Sequence, residues 1–393
     1  VPMEYLFSTM EMDAPPCPAI TATASPDTPS LQALARVLVD AKNPIVITEY
    51  AGRDTNTVAR TVELAELLGL AVVESGGTGY LNFPRNHPLH GGHDPASYLK
   101  EADAILLLGA ILPWHPPSKG PAENVTVAVL DENPLRSHLP YWGFKVDMVL
   151  TGTIESSLTA LINEVKKLAP GDRTARTSVW KTRHEARKKE WRDAASAHAA
   201  KAPIDVRWAM HELNMALPAN AMVVEETITS RLAVHQYIDK LTPGSHFAGC
   251  IGGLGTGLGT ALGAKVSAPD RPVVCLIGDG SFHYDPALAA LGFCQEYNLP
   301  ILIVLLNNFG YLSQKSGLPK HFPHGWAMKT GKFIGTSITP NPDYPMIARA
   351  YGGHGEVVKE PASLRAALER GFEANARGQH ALIEIQLQPV NPA

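Results

Sequence analysis

Polar residues that could bind a divalent cation follow two apolar segments in the carboxyl-terminal half of the chain. Gly278-Asp279-Gly280-Ser281 comes directly after the first segment, and Asn307-Asn308 follows the second. Mg²⁺ prefers oxygen ligands and usually takes one or two protein groups together with phosphate oxygens. Asp279 offers a carboxylate, Asn308 an amide oxygen, and Gly310 a carbonyl that a residue without Cβ can turn inward. These three groups are the candidate metal ligands.

A strand–helix–strand unit must position these groups. Segments 273–277 and 301–306 are apolar, and the stretch between them is helix-prone. In an open parallel sheet, ligands bind at the carboxyl ends of the strands. The two polar segments are therefore predicted to lie side by side at one edge of a parallel sheet.

This unit resembles the diphosphate-binding motif of thiamine diphosphate enzymes, in which GDG, a spacer and NN follow one another. GDG or NN alone is weak evidence, but the two together on consecutive strands are far more specific. The resemblance implies thiamine diphosphate and Mg²⁺ as cofactors, with Asp279, Asn308 and the Gly310 carbonyl holding the metal. The residues that it predicts to contact the cofactor are Thr227, Thr229, Gly253, Leu254, Gly278, Gly280, Ser281 and Tyr311.

Two earlier segments support the same resemblance. The apolar segment ending at Glu226 leads into Thr227 and Thr229, whose hydroxyls and the first N–H groups of a following helix suit an anion, although an ordinary helix cap has the same composition. The run 252–259 is glycine-rich and similar to the segment beneath the cofactor in 2-oxo acid decarboxylases and acetohydroxyacid synthases. Leu254 matches the apolar residue that enforces a bent cofactor in that family.

Three residues are candidates for the catalytic chemistry. Gln314 falls where pyruvate decarboxylases carry a glutamate, and because an amide cannot transfer a proton in that way, it slightly favours carboligation over simple aldehyde release. His283 lies just past Ser281 of the motif. Segment 311–332 has no clean periodicity and contains several Gly and Pro residues, so it is predicted to be a long loop that closes over the site.

His90 is the third candidate and belongs to a histidine-rich segment. His87, His90 and His93 are spaced by three residues, which is compatible with a metal site. The surrounding Gly and Pro residues predict a loop that packs near a domain interface. The functional alternative is a loop at the rim of the active site, in which one histidine supplies a proton.

Length and composition define the protein class. A chain of 393 residues with 45 % apolar residues is expected to form two domains. A net charge of −4 with scattered basic residues argues against nucleic acid as a partner, and no apolar run reaches the roughly 18 residues of a membrane span. The four cysteines, at positions 17, 250, 275 and 294, have no metal-like spacing. Free thiols and a cytoplasmic location are predicted.

The order of apolar and helical segments predicts an α/β fold with two doubly wound parallel-sheet domains. Apolar segments at 44–48, 70–74, 104–108, 125–130 and 148–151 alternate with helical stretches. The predicted boundaries are 30–170 for a central domain, 171–202 for a charge-rich linking helix, and 203–393 for the diphosphate- and Mg-binding domain. Residues 1–29 are predicted to be the end of a preceding domain and a Pro-rich linker, although a flexible amino terminus fits as well.

In the family that the motifs resemble, the central domain carries FAD in some members. The segment 108–114 lacks the Arg and Asp residues found at the corresponding strand end of the flavin-binding members, so FAD is unlikely on this comparison.

The resemblance implies an enzyme that breaks or forms a C–C bond in a 2-oxo acid or 2-hydroxyketone, either as an acetolactate synthase-like carboligase or as a decarboxylase or lyase. The family's catalytic Glu lies on a pyrimidine-binding domain, which is expected here on another chain. A homo- or hetero-oligomer, dimeric or tetrameric, is therefore predicted. Two alternatives remain: a non-catalytic or regulatory subunit of the same fold, and a flavin-dependent oxidase relative.

Overall fold

The computed structural model describes residues 2–9, 24–136, 139, 143–248 and 253–389. Within these residues the chain forms two α/β units, each built on a six-stranded parallel sheet with flanking helices. The predicted fold class is confirmed.

The first unit and its connecting helix extend from the amino terminus to residue 196. Its strands are β1 (Pro44–Thr48), β2 (Ala71–Glu74), β3 (His90–Gly92), β4 (Ala104–Leu108), β5 (Thr126–Asp131) and β6 (Met148–Thr151). Its helices are α1 (Met3–Phe7), α2 (Thr28–Asp40), α3 (Thr55–Leu68), α4 (Ala96–Leu99), α5 (Ile154–Lys167) and α6 (Thr174–Ser196).

The first sheet has the order β3-β2-β1-β4-β5-β6. Every residue of β1 and β4 is buried because helices cover both faces of the sheet. Parallel strands that are buried on both faces consist of continuous apolar residues, so the apolar segments of the sequence predicted their positions closely. Asp27 and Asp54 cap α2 and α3, since each side chain accepts a hydrogen bond from a backbone N–H in the first turn.

The second unit begins near residue 204. Its strands are β7 (Met222–Glu226), β8 (His246–Ala248), β9 (Val273–Gly278), β10 (Leu302–Asn307), β11 (His354–Val358) and β12 (Ala381–Gln386). Its helices are α7 (Val206–Ala216), α8 (Arg231–Tyr237), α9 (Gly257–Ser267), α10 (Asp279–Phe282), α11 (Ala287–Tyr297), α12 (Leu312–His321), α13 (Trp326–Thr330), α14 (Tyr344–Ala350) and α15 (Leu364–Ala376).

The second sheet has the order β11-β12-β10-β9-β7-β8. The registers of β9 and β10 pair Gly278 with Leu306. Asp279 and Asn308 therefore leave the sheet at the same edge, one residue and two residues beyond this pair. This confirms the strand–helix–strand arrangement predicted from the motif.

A loop of the first unit packs directly on the second unit. The carbonyl of Gly79 accepts a hydrogen bond from the N–H of Ala248 at 2.9 Å, and Tyr80 forms an isolated antiparallel bridge with Phe247. Helix α6 lies across both units: Trp180 belongs to the first core, and Trp191 packs against the second. The predicted linking helix is thus a packed element.

Residues 3–7 form an exposed helix. Two local predictions were wrong. Part of the histidine-rich segment is β3, an edge strand that pairs with β2. The expected loop 311–332 contains α12 and α13, and Pro319 lies in the last turn of α12.

Other predictions concern parts that the structure describes incompletely. Cys17, Cys250, Gly252 and most of the Pro-rich segment lie outside the described residues. Cys275 and Cys294 are buried free thiols, as predicted. No helix within the described ranges is both long enough and apolar enough to cross a bilayer.

Candidate functional site

The turn after β9 places a carboxylate at the sheet edge. Asp279 is the first residue of α10, and only 1 % of its surface is exposed. Its Oδ2 accepts a hydrogen bond from the N–H of Gly310 at 2.8 Å, which ties the end of β9 to the segment after β10. The described chain gives this carboxylate no Lys, Arg or His partner.

The side chains of the two asparagines at the end of β10 point in different directions and have different partners. Asn307 points into the protein: its Nδ2 donates to Glu384 Oε1 at 2.7 Å, and its Oδ1 accepts from the Phe309 N–H at 2.9 Å. Phe309 has a left-handed backbone (φ 64°), so the chain turns sharply after Asn308. A Cβ on Gly310 would lie 2.3 Å from the Thr336 carbonyl oxygen, so only glycine fits there.

Asn308 faces the cleft. Its Oδ1 is buried and has no hydrogen-bond partner within the described chain, while its Nδ2 lies 3.5 Å from the hydroxyl of Thr229. A buried amide oxygen without a partner is costly and calls for an explanation such as an ion. Together with Asp279, it supplies two oxygen donors of the kind that Mg²⁺ prefers.

The pKa of Asp279 also fits a site that holds a cation. Burial raises the pKa of Asp279 to about 6, although the backbone N–H groups of Gly280 and Gly310 oppose the rise. An ion beside the carboxylate would favour the charged form and reverse this effect. The donor set and the charge therefore fit a divalent cation.

The cleft around these groups has a volume of about 240 Å³. Its lining consists of Ile228, Thr229, Leu254, Gly278, Asp279, Gly280, Ser281, Asn308, Gly310, Tyr311, Leu312, Ser313 and Gln314. A Cβ on Gly280 would lie 2.9 Å from the ring of Tyr311, so glycine allows this ring to pack over the turn. None of the lining residues among those described is basic.

The cofactor residues predicted from the sequence divide into two groups. Thr229, Leu254, Gly278, Gly280, Ser281 and Tyr311 meet in the cleft. Thr227 and Gly253 do not line it. Thr227 is buried, and its hydroxyl donates to Glu225 Oε1 at 2.5 Å, so its side chain is committed to the protein interior.

Of the predicted catalytic residues, only Gln314 lies at this cleft. It is exposed in the first turn of α12, where its Oε1 accepts a hydrogen bond from the Ser313 hydroxyl at 2.6 Å. The Nε2 of His283 lies 2.9 Å from the Tyr344 hydroxyl. The His283 side chain and Asp285 line a separate cavity. His90 lies between the two units, away from the cleft.

Sequence reasoning missed the carboxylate that fixes the glycine-rich segment. Glu226, at the end of β7, accepts hydrogen bonds from the N–H groups of Gly255, Thr256 and Gly257 at the start of α9. The positive end of the helix is thus satisfied by the chain itself. Burial, together with the nearby charge of Glu226, raises the pKa of Asp285 to about 7. An acidic residue at a strand end before a glycine-rich helix start was the available signal.

The surroundings of His90 form a buried cluster between the two units, here called the interdomain cluster. Its members are Glu74, Arg85, His90 and His93 from the first unit and Glu225, His235 and His246 from the second. Arg85 joins the two halves: its Nη1 donates to the Ile238 carbonyl at 3.0 Å, and its Nη2 lies 3.4 Å from His246 Nδ1.

Burial and pairing set the charges of this cluster. Burial lowers the pKa of His90 and of His246 to about 4 and also lowers the pKa of His235. Burial alone would raise the pKa of Glu225, but the contacts with His235, His246 and Arg231 outweigh it and hold the pKa well below its ordinary value. The histidines are therefore neutral and the carboxylate is charged at neutral pH.

Comparisons with known proteins agree with the site. The model described as thiamine pyrophosphate enzyme, C-terminal TPP binding domain, matches residues 229–385, and the central-domain model of the same enzymes matches residues 31–161. The chain is 25 % identical over 419 residues to sulfoacetaldehyde acetyltransferase of Castellaniella defragrans, covering 98 % of this chain and 67 % of the relative. It is 26 % identical over 387 residues to benzoylformate decarboxylase of Pseudomonas aeruginosa, covering 95 % and 66 %.

A solved structure shows the same fold. The 4-hydroxybenzoylformate decarboxylase of Rhodococcus jostii RHA1 superimposes with a TM-score of 0.76 at 24 % identity and covers 96 % of this chain. The chain spans about two thirds of the length of these relatives.

Proposed function

Because the chain belongs to the family of thiamine pyrophosphate enzymes, we propose that its cleft binds thiamine diphosphate together with Mg²⁺. We further propose that the complete enzyme acts on a 2-oxo acid or a 2-hydroxyketone, breaking or forming the C–C bond beside the carbonyl. Decarboxylation and carboligation both belong to this class.

One observation carries the proposal: Asp279 and the unpartnered Oδ1 of Asn308 meet at the ends of neighbouring parallel strands. With the carbonyl of Gly310, they would supply the protein's oxygen ligands to Mg²⁺. Phosphate oxygens and water would complete an octahedral set. The hydroxyls of Thr229 and Ser281 line the same cleft and would donate hydrogen bonds to the diphosphate.

The rest of the cleft would orient the cofactor's rings and the substrate. When bound, thiamine diphosphate supplies a nucleophilic carbon and an electron sink for the cleaved bond. Leu254 is half-buried at the cleft wall and presents an apolar surface against which the rings can pack. Gln314, at the mouth, can donate a hydrogen bond to a substrate oxygen, but its amide cannot act as an acid or base.

We propose that a pyrimidine-binding domain with its catalytic Glu completes the active site, in an assembly of dimeric or tetrameric type. The exposed apolar side chains of Leu288, Phe293 and Tyr297 on α11 support an interface on the second unit. Single exposed apolar residues are ordinary, but several on one helix are typical of a contact surface.

Equilibrium binding tests the site. Thiamine diphosphate is titrated into the purified chain by calorimetry, with and without Mg²⁺. We expect binding that requires Mg²⁺ and that is lost in Asp279→Asn, but retained in the matched Asp270→Asn at an exposed turn. Equal binding by the wild type and Asp279→Asn, or binding without a divalent cation, would contradict the proposed metal site.

Activity tests the need for a pyrimidine-binding domain. CO₂ release from a panel of 2-oxo acids is measured for residues 1–393 alone and for the same residues together with a pyrimidine-binding domain. We expect turnover only when that domain is present. Turnover by residues 1–393 alone would refute the requirement.

A further inference from the structure

We propose that Glu225, His235 and His246 form a zinc site buried beneath the contact between the two units. The three residues come from β7, α8 and β8, which are neighbours in the second unit. This site is separate from the cleft of Asp279 and Asn308, because none of its three side chains lines that cleft.

The distances between the ligand atoms fit one ion. Glu225 Oε2 lies 3.3 Å from His235 Nε2 and 3.7 Å from His246 Nε2. Zinc bonds of about 2.0–2.2 Å at tetrahedral angles place neighbouring ligand atoms roughly 3.3–3.6 Å apart. The ligand atoms of all three residues lie within 4.8 Å of one another.

The same three atoms lack other partners. Glu225 Oε2, His235 Nε2 and His246 Nε2 are each fully buried, and none makes a hydrogen bond within the described chain. Polar atoms buried in this way are destabilising unless an ion or water satisfies them. Three such atoms converging on one point are better explained by an ion than by three separate defects.

The other carboxylate oxygen is already fixed, which leaves Oε2 free. Glu225 Oε1 accepts a hydrogen bond from the Thr227 hydroxyl at 2.5 Å, and Arg231 Nε lies 3.4 Å from it. Partners of this kind orient the ligands of metal sites. They also give Thr227 a function, since its side chain is turned away from the cofactor cleft.

The donor set favours zinc. Neutral imidazole nitrogens with one carboxylate are common ligands of Zn²⁺, whereas Mg²⁺ and Ca²⁺ take oxygen ligands. A fourth position is available beside the triad, because the ring of His93 lies 4.6 Å from the ring of His235. Neither ring nitrogen of His93 makes a hydrogen bond in the described residues, and Nδ1 lies 3.6 Å from Glu74 Oε2. A ligand from His93 would bridge the two units.

The neighbouring triad of Glu74, His90 and His93 is less suited to an ion. Glu74 Oε2 already pairs with His90 Nε2 at 3.1 Å and lies 3.9 Å from Arg85 Nε. The contact atoms of Glu74 and His90 are therefore satisfied by each other, whereas the guanidinium of Arg231 contacts Oε1 of Glu225 and leaves its Oε2 free. Zinc on His246 Nε2 requires a proton on Nδ1, so Arg85 must release its 3.4 Å contact with that atom and keep the Ile238 carbonyl.

Metal analysis of the purified protein tests the site. We expect one zinc ion per chain after incubation with Zn²⁺ and gel filtration, with the same content in Asp279→Asn, which lacks the proposed Mg²⁺ ligand. Zinc should be lost in Glu225→Gln and His246→Asn but kept in Glu74→Gln, the matched carboxamide variant of the other triad. Zinc lost in Glu74→Gln and retained in Glu225→Gln would overturn the assignment, as would a folded wild-type protein without bound zinc.

A second measurement does not depend on the folding of variants. The wild-type protein is stripped with a chelator and reloaded with Co²⁺, whose visible absorption reports histidine and carboxylate ligation at four-coordinate sites. We expect these bands, together with a melting temperature that falls on chelation and is restored by Zn²⁺ but not by Mg²⁺. Absent bands, or restoration by Mg²⁺ alone, would refute the site.

Discussion

Replacing Asp279 with Asn should stabilise the cofactor-free protein while abolishing binding of the metal. Burial raises the pKa of Asp279 from its ordinary 3.8 to about 6. Between these values the native state binds a proton that the unfolded chain has lost, so the free energy of unfolding falls as the pH rises. A difference of about two pKa units is worth about 3 kcal/mol. At pH 7 the buried, charged carboxylate therefore destabilises the native state by this full amount, and the uncharged amide of asparagine removes the destabilisation.

Urea unfolding at pH 7 and at pH 4, without Mg²⁺ or thiamine diphosphate, measures the effect. The Asp279→Asn variant should be more stable than the wild type by up to about 3 kcal/mol at pH 7, and the difference should shrink toward zero at pH 4. Asp270→Asn, at an exposed turn, is the control and should not show this pH-dependent gain.

Adding Mg²⁺ and thiamine diphosphate should reverse the order of stability. A ligand that binds only the native state stabilises it by about 4.1 kcal/mol at one thousand times its Kd. This gain exceeds the advantage of about 3 kcal/mol that Asp279→Asn has without ligands, and the variant forgoes it. The reasoning fails if Asp279→Asn is no more stable than the wild type at pH 7, or if its advantage is the same at both pH values.

Three further substitutions test the shape of the cleft. Gly310→Ala places a Cβ 2.3 Å from a backbone oxygen and should abolish Mg²⁺-dependent cofactor binding by calorimetry, whereas Gly317→Ala, with open space around it, should bind normally. Gly255→Ala forces a φ of +93° on a residue with Cβ and should lower the free energy of unfolding by about 1–3 kcal/mol in urea. Gly259→Ala, its control within α9, should be neutral or stabilising by up to about 1 kcal/mol. Leu254→Ala should leave the melting temperature nearly unchanged but weaken cofactor binding by about ten- to a hundredfold, as expected for an apolar contact worth about 1.5–3 kcal/mol.

The sequence predicted those parts of the fold in which local pattern and burial agree. The parallel strands are buried on both faces, so their apolar runs were visible without knowledge of the partners. The motif residues Asp279 and Asn308 came together as expected, because parallel register follows from consecutive strands in one sheet.

The local sequence pattern could not predict the direction in which each side chain points. Asn307 and Asn308 are identical residues, and only the contact with Glu384 shows that the first is structural. The interdomain cluster joins Glu74 to Glu225 through Arg85, residues that are far apart in the chain. His90 and His93 were therefore interpreted as residues of a loop.

Helix α12 was not predicted from the sequence, for a different reason. Its residues lack an apolar stripe, and none of them is buried, so the periodic signal of a packed helix is missing. The Gly and Pro residues of the segment also favoured a loop, because proline in a helix removes a backbone hydrogen bond, yet Pro319 lies inside α12.

Because of the charges in the cleft, the affinity for each of the two proposed ligands depends on whether the other is bound. Asp279 is the charged residue of the described lining, and the amino end of α9 is already occupied by Glu226. A diphosphate entering alone would meet a carboxylate, and a cation entering alone would find few protein ligands. Each should therefore raise the affinity of the other by the same factor, as thermodynamic reciprocity requires. The available magnesium would then set how much cofactor the protein retains, and withdrawal of either ligand would release both.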